Sequence, residues 1–103
     1  MSVQIHIPSA QIDSFCRRWQ VVELSLFGSA VREDFGPDSD VDLLVQFHPE
    51  ARHTLIDMAR MEHELGRIFN RDVDLVERSA VEQSRNHIRR KAVLQSAEAI
   101  HAA

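Results

Sequence analysis

Residues 21–47 read VVELSLFGSAVREDFGPDSDVDLLVQF, and this stretch decides the fold. It holds two short apolar runs, 21–27 and 40–47, each with the length and composition of a buried β-strand. Gly28 and Ser29 follow the first run directly, and a Gly-Pro turn precedes the second. The stretch predicts a strand, a turn with a short helical piece, and then a second strand.

The flanking sequence predicts the rest of an α/β domain. Apolar residues at helical spacing favour one helix over about 9–20 and another over about 54–70. Residues 72–77, DVDLVE, predict a third strand. Ser79 and Glu82 fit a capping box and favour a final helix that runs towards the C-terminus. The expected order of elements is α-β-α-β-α-β-α.

The length and composition fit one small domain. The chain has 103 residues and 44% hydrophobic content, which suits a single packed core. No linker or low-complexity tract interrupts it, so we expect one α/β domain over 1–103. The single cysteine, Cys16, excludes an internal disulfide framework and favours a reducing, cytoplasmic location. No apolar run reaches the ~18 residues of a membrane span, so we expect no membrane association.

The charge is mildly acidic overall but basic at the C-terminal end. Lys and Arg number 12 and Asp and Glu number 16, which gives a net charge of −4. This balance argues against stable nucleic-acid binding. Residues 78–103 carry 5 basic and 2 acidic side chains. Arg85, Arg89 and Arg90 could contact a nucleotide or a partner, or could simply lie on a solvated helix face.

The turn after the first strand is the first feature with candidate chemistry. Gly28 lets the backbone turn tightly and approach a ligand. The helix start beyond it presents unpaired N–H groups that suit a phosphate, and the Ser29 hydroxyl can donate another hydrogen bond. Arg32 follows about one turn along the same helix, near the same face. The alternative interpretation is an ordinary turn with an N-cap.

Asp40 and Asp42 form the second feature. Residues i and i+2 of a strand point to one face, roughly 6.6 Å apart along the strand. Two acids on one face repel each other unless cations lie between them. Carboxylates placed in this way can hold a pair of hard divalent ions. The alternative is a solvated acidic face with Val41 and Leu43 turned inward.

Asp74 is the third feature. If the second and third strands are neighbours, about 4.8 Å apart, an acid of the third can join the first pair. Asp72 and Asp74 share a face, so the sequence leaves open which of them does so. Asp74 lies deeper in the strand, whereas Asp72 adjoins Arg71, and a surface ion pair between them would explain it.

The combination resembles the nucleotidyltransferase superfamily typified by DNA polymerase β. It is more closely similar to the minimal nucleotidyltransferase (MNT) antitoxin family. That family has Gly-Ser, an Arg soon after, Ser-Asp-x-Asp-Leu and a late Val-Asp-Leu, which correspond here to 28–29, Arg32, 39–43 and 73–75. The resemblance covers about 21–95 and implies the small nucleotidyltransferase fold, with three or more mixed strands flanked by helices.

The resemblance also implies a role for each motif residue. Asp40 and Asp42 would hold Mg²⁺ on the triphosphate of ATP, and Asp74 would complete the catalytic set as a metal ligand or as a base. The nucleotide-binding residues would be Gly28, Ser29, Arg32 and Ser39. Ser39 would orient the loop or Asp40, unless it only caps the turn. Ala30 and Glu33 depart from the family, where many members have a basic residue and a Gly.

The resemblance further implies a partner. MNT proteins are typically paired with a HEPN-domain ribonuclease toxin, and members of the family transfer AMP to a tyrosine of that toxin. We therefore expect a Mg²⁺-dependent antitoxin that adenylylates and silences such a toxin in a hetero-oligomer. One alternative is an antitoxin that masks the toxin by binding alone. Another is a free-standing transferase that acts on a small molecule or an RNA 3′ end.

Overall fold

The sheet is the element that positions everything else in the protein. The structure, a computed structural model, describes residues 6–28 and 40–102. Across these residues the strands are β1 (Val21–Phe27), β2 (Val41–Phe47), β3 (Val73–Glu77) and β4 (Glu98–Ala102). The helices are α1 (Ser9–Trp19), α2 (Leu55–Phe69), α3 (Arg78–Glu82) and α4 (His87–Ser96).

The four described strands form one mixed sheet in the order β3-β2-β1-β4. β1 runs antiparallel to both β2 and β4, and β2 runs parallel to β3. β1 and β2 are therefore the central strands. They are also the two most apolar runs, as expected for strands that are covered on both faces. The mixed sheet with flanking helices confirms the fold expected from the sequence.

The buried apolar side chains of the described residues form two clusters, one on each face of the sheet. Leu43 belongs to the larger cluster and the next residue, Leu44, to the smaller, since successive strand residues face opposite sides. α1 and α2 cover the larger cluster, with Phe15 and Leu65 fully buried there. α3 and α4 cover the smaller cluster, to which α4 contributes Val93.

The α1 and α2 helices are joined through one acidic side chain. Glu64 of α2 accepts a hydrogen bond from Nε1 of Trp19 at 3.0 Å and pairs with the guanidinium of Arg18. The start of α2 is a capping box, in which Thr54 and Asp57 exchange side-chain and backbone hydrogen bonds at 3.1 and 3.0 Å. The Glu64 contacts hold the end of α1 against α2, and the capping box stabilises the first turn of α2.

The segment after β3 differs from the single final helix that the sequence predicts. α3 begins at Arg78, no side chain caps it, and so the predicted Ser79 cap is wrong. The Asn86 side chain accepts a hydrogen bond from the backbone N–H of Arg89 and starts a separate helix, α4. After α4 the chain forms β4, which pairs with the free edge of β1, for example Ala99 with Ser25.

Two further expectations concern the remaining parts of the chain. The short helix predicted after Gly28 and the Gly-Pro turn before β2 fall in 29–39, outside the described residues. Within 6–28 and 40–102, no helix is long and apolar enough to cross a membrane.

Candidate active site

Asp42 and Asp74 lie directly opposite each other on the parallel strands β2 and β3. The register pairs Leu43 with Leu75 on the opposite face, so both carboxylates point to the face that carries α4. The condition for Asp74 to join the first pair, that the second and third strands are neighbours, is met. Asp42 is partly buried and Asp74 is exposed. Like charges held side by side on neighbouring strands favour the binding of a cation between them.

The geometry separates Asp74 from Asp72. Asp72 precedes β3, and its carbonyl oxygen accepts a hydrogen bond from the Val41 N–H at 2.9 Å. Its side chain lines a different cavity, next to Arg71 at the end of α2. The sequence left both acids open as the partner of the first pair. In the structure it is Asp74 that faces Asp42.

Asp40 lies at the entry to β2, one residue before the strand begins, and it is exposed. It lines the same cavity as Asp72, with a volume of about 870 Å³, whose other wall is the C-terminal half of α2. The structure therefore brings Asp42 and Asp74 together and leaves Asp40 on the neighbouring cavity. The metal-binding role expected for Asp40 stays a prediction.

The donor set at Asp42 and Asp74 fits a small divalent cation. In 6–28 and 40–102, no group of three or more His, Cys, Asp or Glu side chains could hold a metal ion. Mg²⁺ is commonly bound by one or two carboxylates together with the phosphates of a substrate, rather than by a complete protein cage. A pair of hard carboxylate oxygens beside a cavity is the arrangement that such binding uses.

Gly28 connects the first motif to the second. Its φ is +68°, in the left-handed region that glycine adopts without strain. A β-carbon at this position would stand 2.5 Å from Oδ2 of Asp42. The close approach follows from the register, in which the preceding residue, Phe27, is the partner of Asp42. Only glycine allows the backbone to lie this close to the carboxylate.

A cavity of about 510 Å³ opens above these residues, within the range of small-molecule sites. Its walls are the end of β1, the two opposed carboxylates and one face of α4. The lining residues are Phe27, Gly28, Asp42, Asp74, Arg89, Ala92, Val93 and Ser96. Sequence analysis missed three of the α4 residues. The sequence shows that these residues follow Arg89 at i+3, i+4 and i+7, on one face of a helix. It does not show what that face packs against.

The other expected site residues cannot be placed. Ser29, Arg32 and Ser39 lie outside the described residues. Their expected contacts with the phosphates and with the loop stay predictions. Gly28 and Asp40, the described residues on either side of 29–39, line different cavities.

Two comparisons with known proteins identify a family. A family model for the nucleotidyltransferase domain matches residues 9–98. A solved structure of a protein assigned as a minimal nucleotidyltransferase is 32% identical, with a TM-score of 0.66. The match covers 87% of this chain and 86% of that one. No curated protein matches the chain.

More distant solved structures share the fold. One is a toxin–antitoxin complex with AMP-PNP, at 18% identity and a TM-score of 0.71, covering 94% of this chain and 75% of that one. Another is a tri-AMPylated Shewanella oneidensis HEPN toxin in complex with an MNT antitoxin, at 18% identity and a TM-score of 0.62. That match covers 92% of this chain and 70% of the other. The chain belongs to the nucleotidyltransferase domain family, among its minimal nucleotidyltransferases.

Proposed function

We propose that this protein is an antitoxin-type adenylyltransferase. It transfers AMP from ATP to a tyrosine hydroxyl of a partner HEPN ribonuclease toxin. The transfer neutralises the toxin, and the two proteins form a cytoplasmic hetero-oligomer. The observation that carries the proposal is the in-register pair of Asp42 and Asp74 at a cavity of nucleotide size, with the Gly28 backbone against it. Metal-dependent transfer to a hydroxyl needs paired carboxylates beside a phosphate site.

The reaction divides among the residues as follows. Asp42 and Asp74 would hold Mg²⁺ together with the nucleotide, and Asp40 would add a carboxylate from the entry of β2. A cation held there would supply positive charge that offsets the charge developing on the departing pyrophosphate. The acceptor oxygen bonds to the α-phosphorus as the bond from that phosphorus to the bridging oxygen of the β-phosphate breaks. The acceptor's proton would go to Asp74 if this carboxylate acts as the base, or to water if Asp74 serves only as a metal ligand.

The phosphates are held by the segment that follows β1. Gly28 has no side chain, so the backbone can approach the triphosphate closely. Ser29 and Arg32 grip the β- and γ-phosphates, and Ser39 orients the return of the loop towards Asp40. These assignments rest on the family motif.

A tyrosine acceptor would lie outside these 103 residues. The 103 residues contain no tyrosine at all. A fold relative is found in complex with a tri-AMPylated HEPN toxin, and another, in a toxin–antitoxin complex, with AMP-PNP. A partner toxin that brings its own tyrosine to the cavity is consistent with both.

The test is intact-mass spectrometry of the partner HEPN protein after incubation with this chain, ATP and Mg²⁺. We expect the partner to gain mass in units of AMP with wild-type protein, and to gain none with Asp42→Asn. Asp72→Asn is the matched control, because it removes the same charge from an acid that precedes β3 and does not oppose Asp42. A stable complex that never carries AMP would overturn the proposal and identify an antitoxin that masks the toxin by binding.

A further inference from the structure

Arg89 lines the same cavity as Asp42 and Asp74, from the opposite wall. It lies on the face of α4 that also carries Val93, one turn further along. Val93 is 7% exposed and belongs to the cluster formed with Phe27 and Leu44 beneath the helix. Burial of Val93 therefore fixes which face of α4 is turned to the cavity, and Arg89 is on that face.

The backbone at Arg89 is also held in place. Its N–H donates to Oδ1 of Asn86 at 3.0 Å, in the cap that begins α4. The side chain beyond this fixed point is exposed. The arrangement therefore joins a hydrogen-bonded backbone position to an exposed guanidinium at the cavity.

Two other arginines near the C-terminus have partners within the protein. Arg78 pairs with Glu23 at 3.0 Å and with Glu82 at 3.2 Å. Arg90 donates to the carbonyl oxygen of Ser84 at 3.2 Å. In the part of the chain that the structure describes, no carboxylate forms an ion pair with Arg89. Its charge is available to a ligand.

We infer that Arg89 binds the phosphate chain of the nucleoside triphosphate in this cavity. The inference rests on the proposed function and adds to it a residue outside the family motifs. A guanidinium is charged at every physiological pH and presents donors in a fork that matches phosphate oxygens. Carboxylates that hold a cation on one wall and a guanidinium on the other provide complementary charges for a metal-bound polyphosphate.

The test is calorimetric titration of the purified chain with ATP in the presence of Mg²⁺. Arg89→Gln should weaken ATP binding about 10- to 100-fold, the loss typical of a charged hydrogen bond. Lys91→Gln is the matched control, because Lys91 is an exposed cation of the same helix that does not line the cavity. It should change binding by less than about twofold, since a surface charge outside the site acts weakly.

A second variant and the kinetics separate binding from a structural role. Arg89→Lys keeps the charge and should restore part of the affinity, whereas a packing defect would not be rescued. In the transfer assay, Arg89→Gln should raise KM for ATP more than it lowers kcat. Thermal unfolding should show the same Tm for all three variants and the wild type.

The outcomes distinguish this inference from the proposed function. Equal affinity of Arg89→Gln and the wild type, or equal losses in Arg89→Gln and Lys91→Gln, would overturn the inference. Failure of the wild type to bind ATP would overturn both. ATP binding that depends on Arg89, without transfer of AMP to the HEPN partner, would support the inference and reject the proposed function.

Discussion

The main chain of Gly28 lies against the carboxylate of Asp42, close enough that a β-carbon at position 28 would stand 2.5 Å from Oδ2. The end of β1 thus borders the acid of the neighbouring strand, and the two motifs become one surface. The position of this carboxylate depends on the absence of a side chain at residue 28. A single methyl group there should disturb the site without touching its charges.

Gly28→Ala should lower both stability and transfer. The left-handed φ of +68° costs an L-residue about 1–2 kcal/mol, and the contact with Asp42 adds to that. Chemical denaturation and the rate of AMP transfer measure the two losses. In an Asp42→Ala background, Gly28→Ala should lower the stability only by the cost of the left-handed φ. Equal penalties in both backgrounds would show that the contact contributes nothing.

Mg²⁺ with ATP should raise the Tm of the wild type, because a ligand that binds only the folded state stabilises it. Asp42→Asn and Asp74→Asn should each remove most of this increase, since each takes one carboxylate from the opposed pair. Asp72→Asn should keep it, because Asp72 precedes β3 and does not oppose Asp42. If Asp72→Asn lost the increase in Tm and Asp74→Asn kept it, Asp72 and not Asp74 would be the third acid of the site.

Stability should fall in acid through Glu64. The hydrogen bond from Arg18 lowers the pKa of this carboxyl, burial opposes the shift, and the Trp19 N–H adds to it. A lowered pKa in the folded state means that the stabilisation is complete above the unfolded pKa of about 4.3. It is lost as the pH falls through the lower, folded value. The size should stay below about 1 kcal/mol, because the pair is partly exposed to solvent.

Trp19 reports this change directly, because it is the only tryptophan in the chain and its Nε1 donates to Glu64. Denaturation followed by its fluorescence should show an acid-side loss in the wild type. Glu64→Gln, which can still accept the indole N–H but carries no charge, should show a flatter dependence on pH. The same slope in both proteins would contradict the assignment.

Cys16 should be unreactive in the folded protein. The pKa of its thiol is raised to about 12, mainly by burial and to a smaller extent by the charge of Asp13. The residue is 1% exposed. The thiolate that reacts with alkylating reagents is therefore almost absent at pH 8. Mass spectrometry should detect no alkylation under native conditions and complete alkylation in denaturant. Rapid labelling of the native protein would contradict the buried position.

Local signals in the sequence predicted the first three strands and the two long helices. The apolar period of α1 and α2 and the Thr54 capping box depend on neighbours within one or two turns, so they are visible without the fold. β4 depends instead on an edge of β1 far away along the chain. Its residues, EAIHA, carry no strong strand pattern of their own, and a continued helix was the wrong prediction.

The candidate site also has parts that local sequence predicts and parts that depend on the fold. The spacing of Asp40 and Asp42 and the glycine after β1 could be found in the sequence, and the family resemblance joined them. The choice between Asp72 and Asp74 could not, because it depends on the register of β2 against β3. The contribution of α4 also required the three-dimensional packing of Val93 against Phe27.

The pairing of β4 with β1 has a consequence during synthesis. Leu26 pairs with Glu98, so the outer edge of β1 stays unpaired until the ribosome has synthesised β4. At about 5–20 residues per second, that wait is roughly 4–14 s. In this interval an apolar strand presents unpaired backbone groups to other chains, which is a route to aggregation. Any pause in translation after β2 lengthens the exposure and should lower the yield of folded protein.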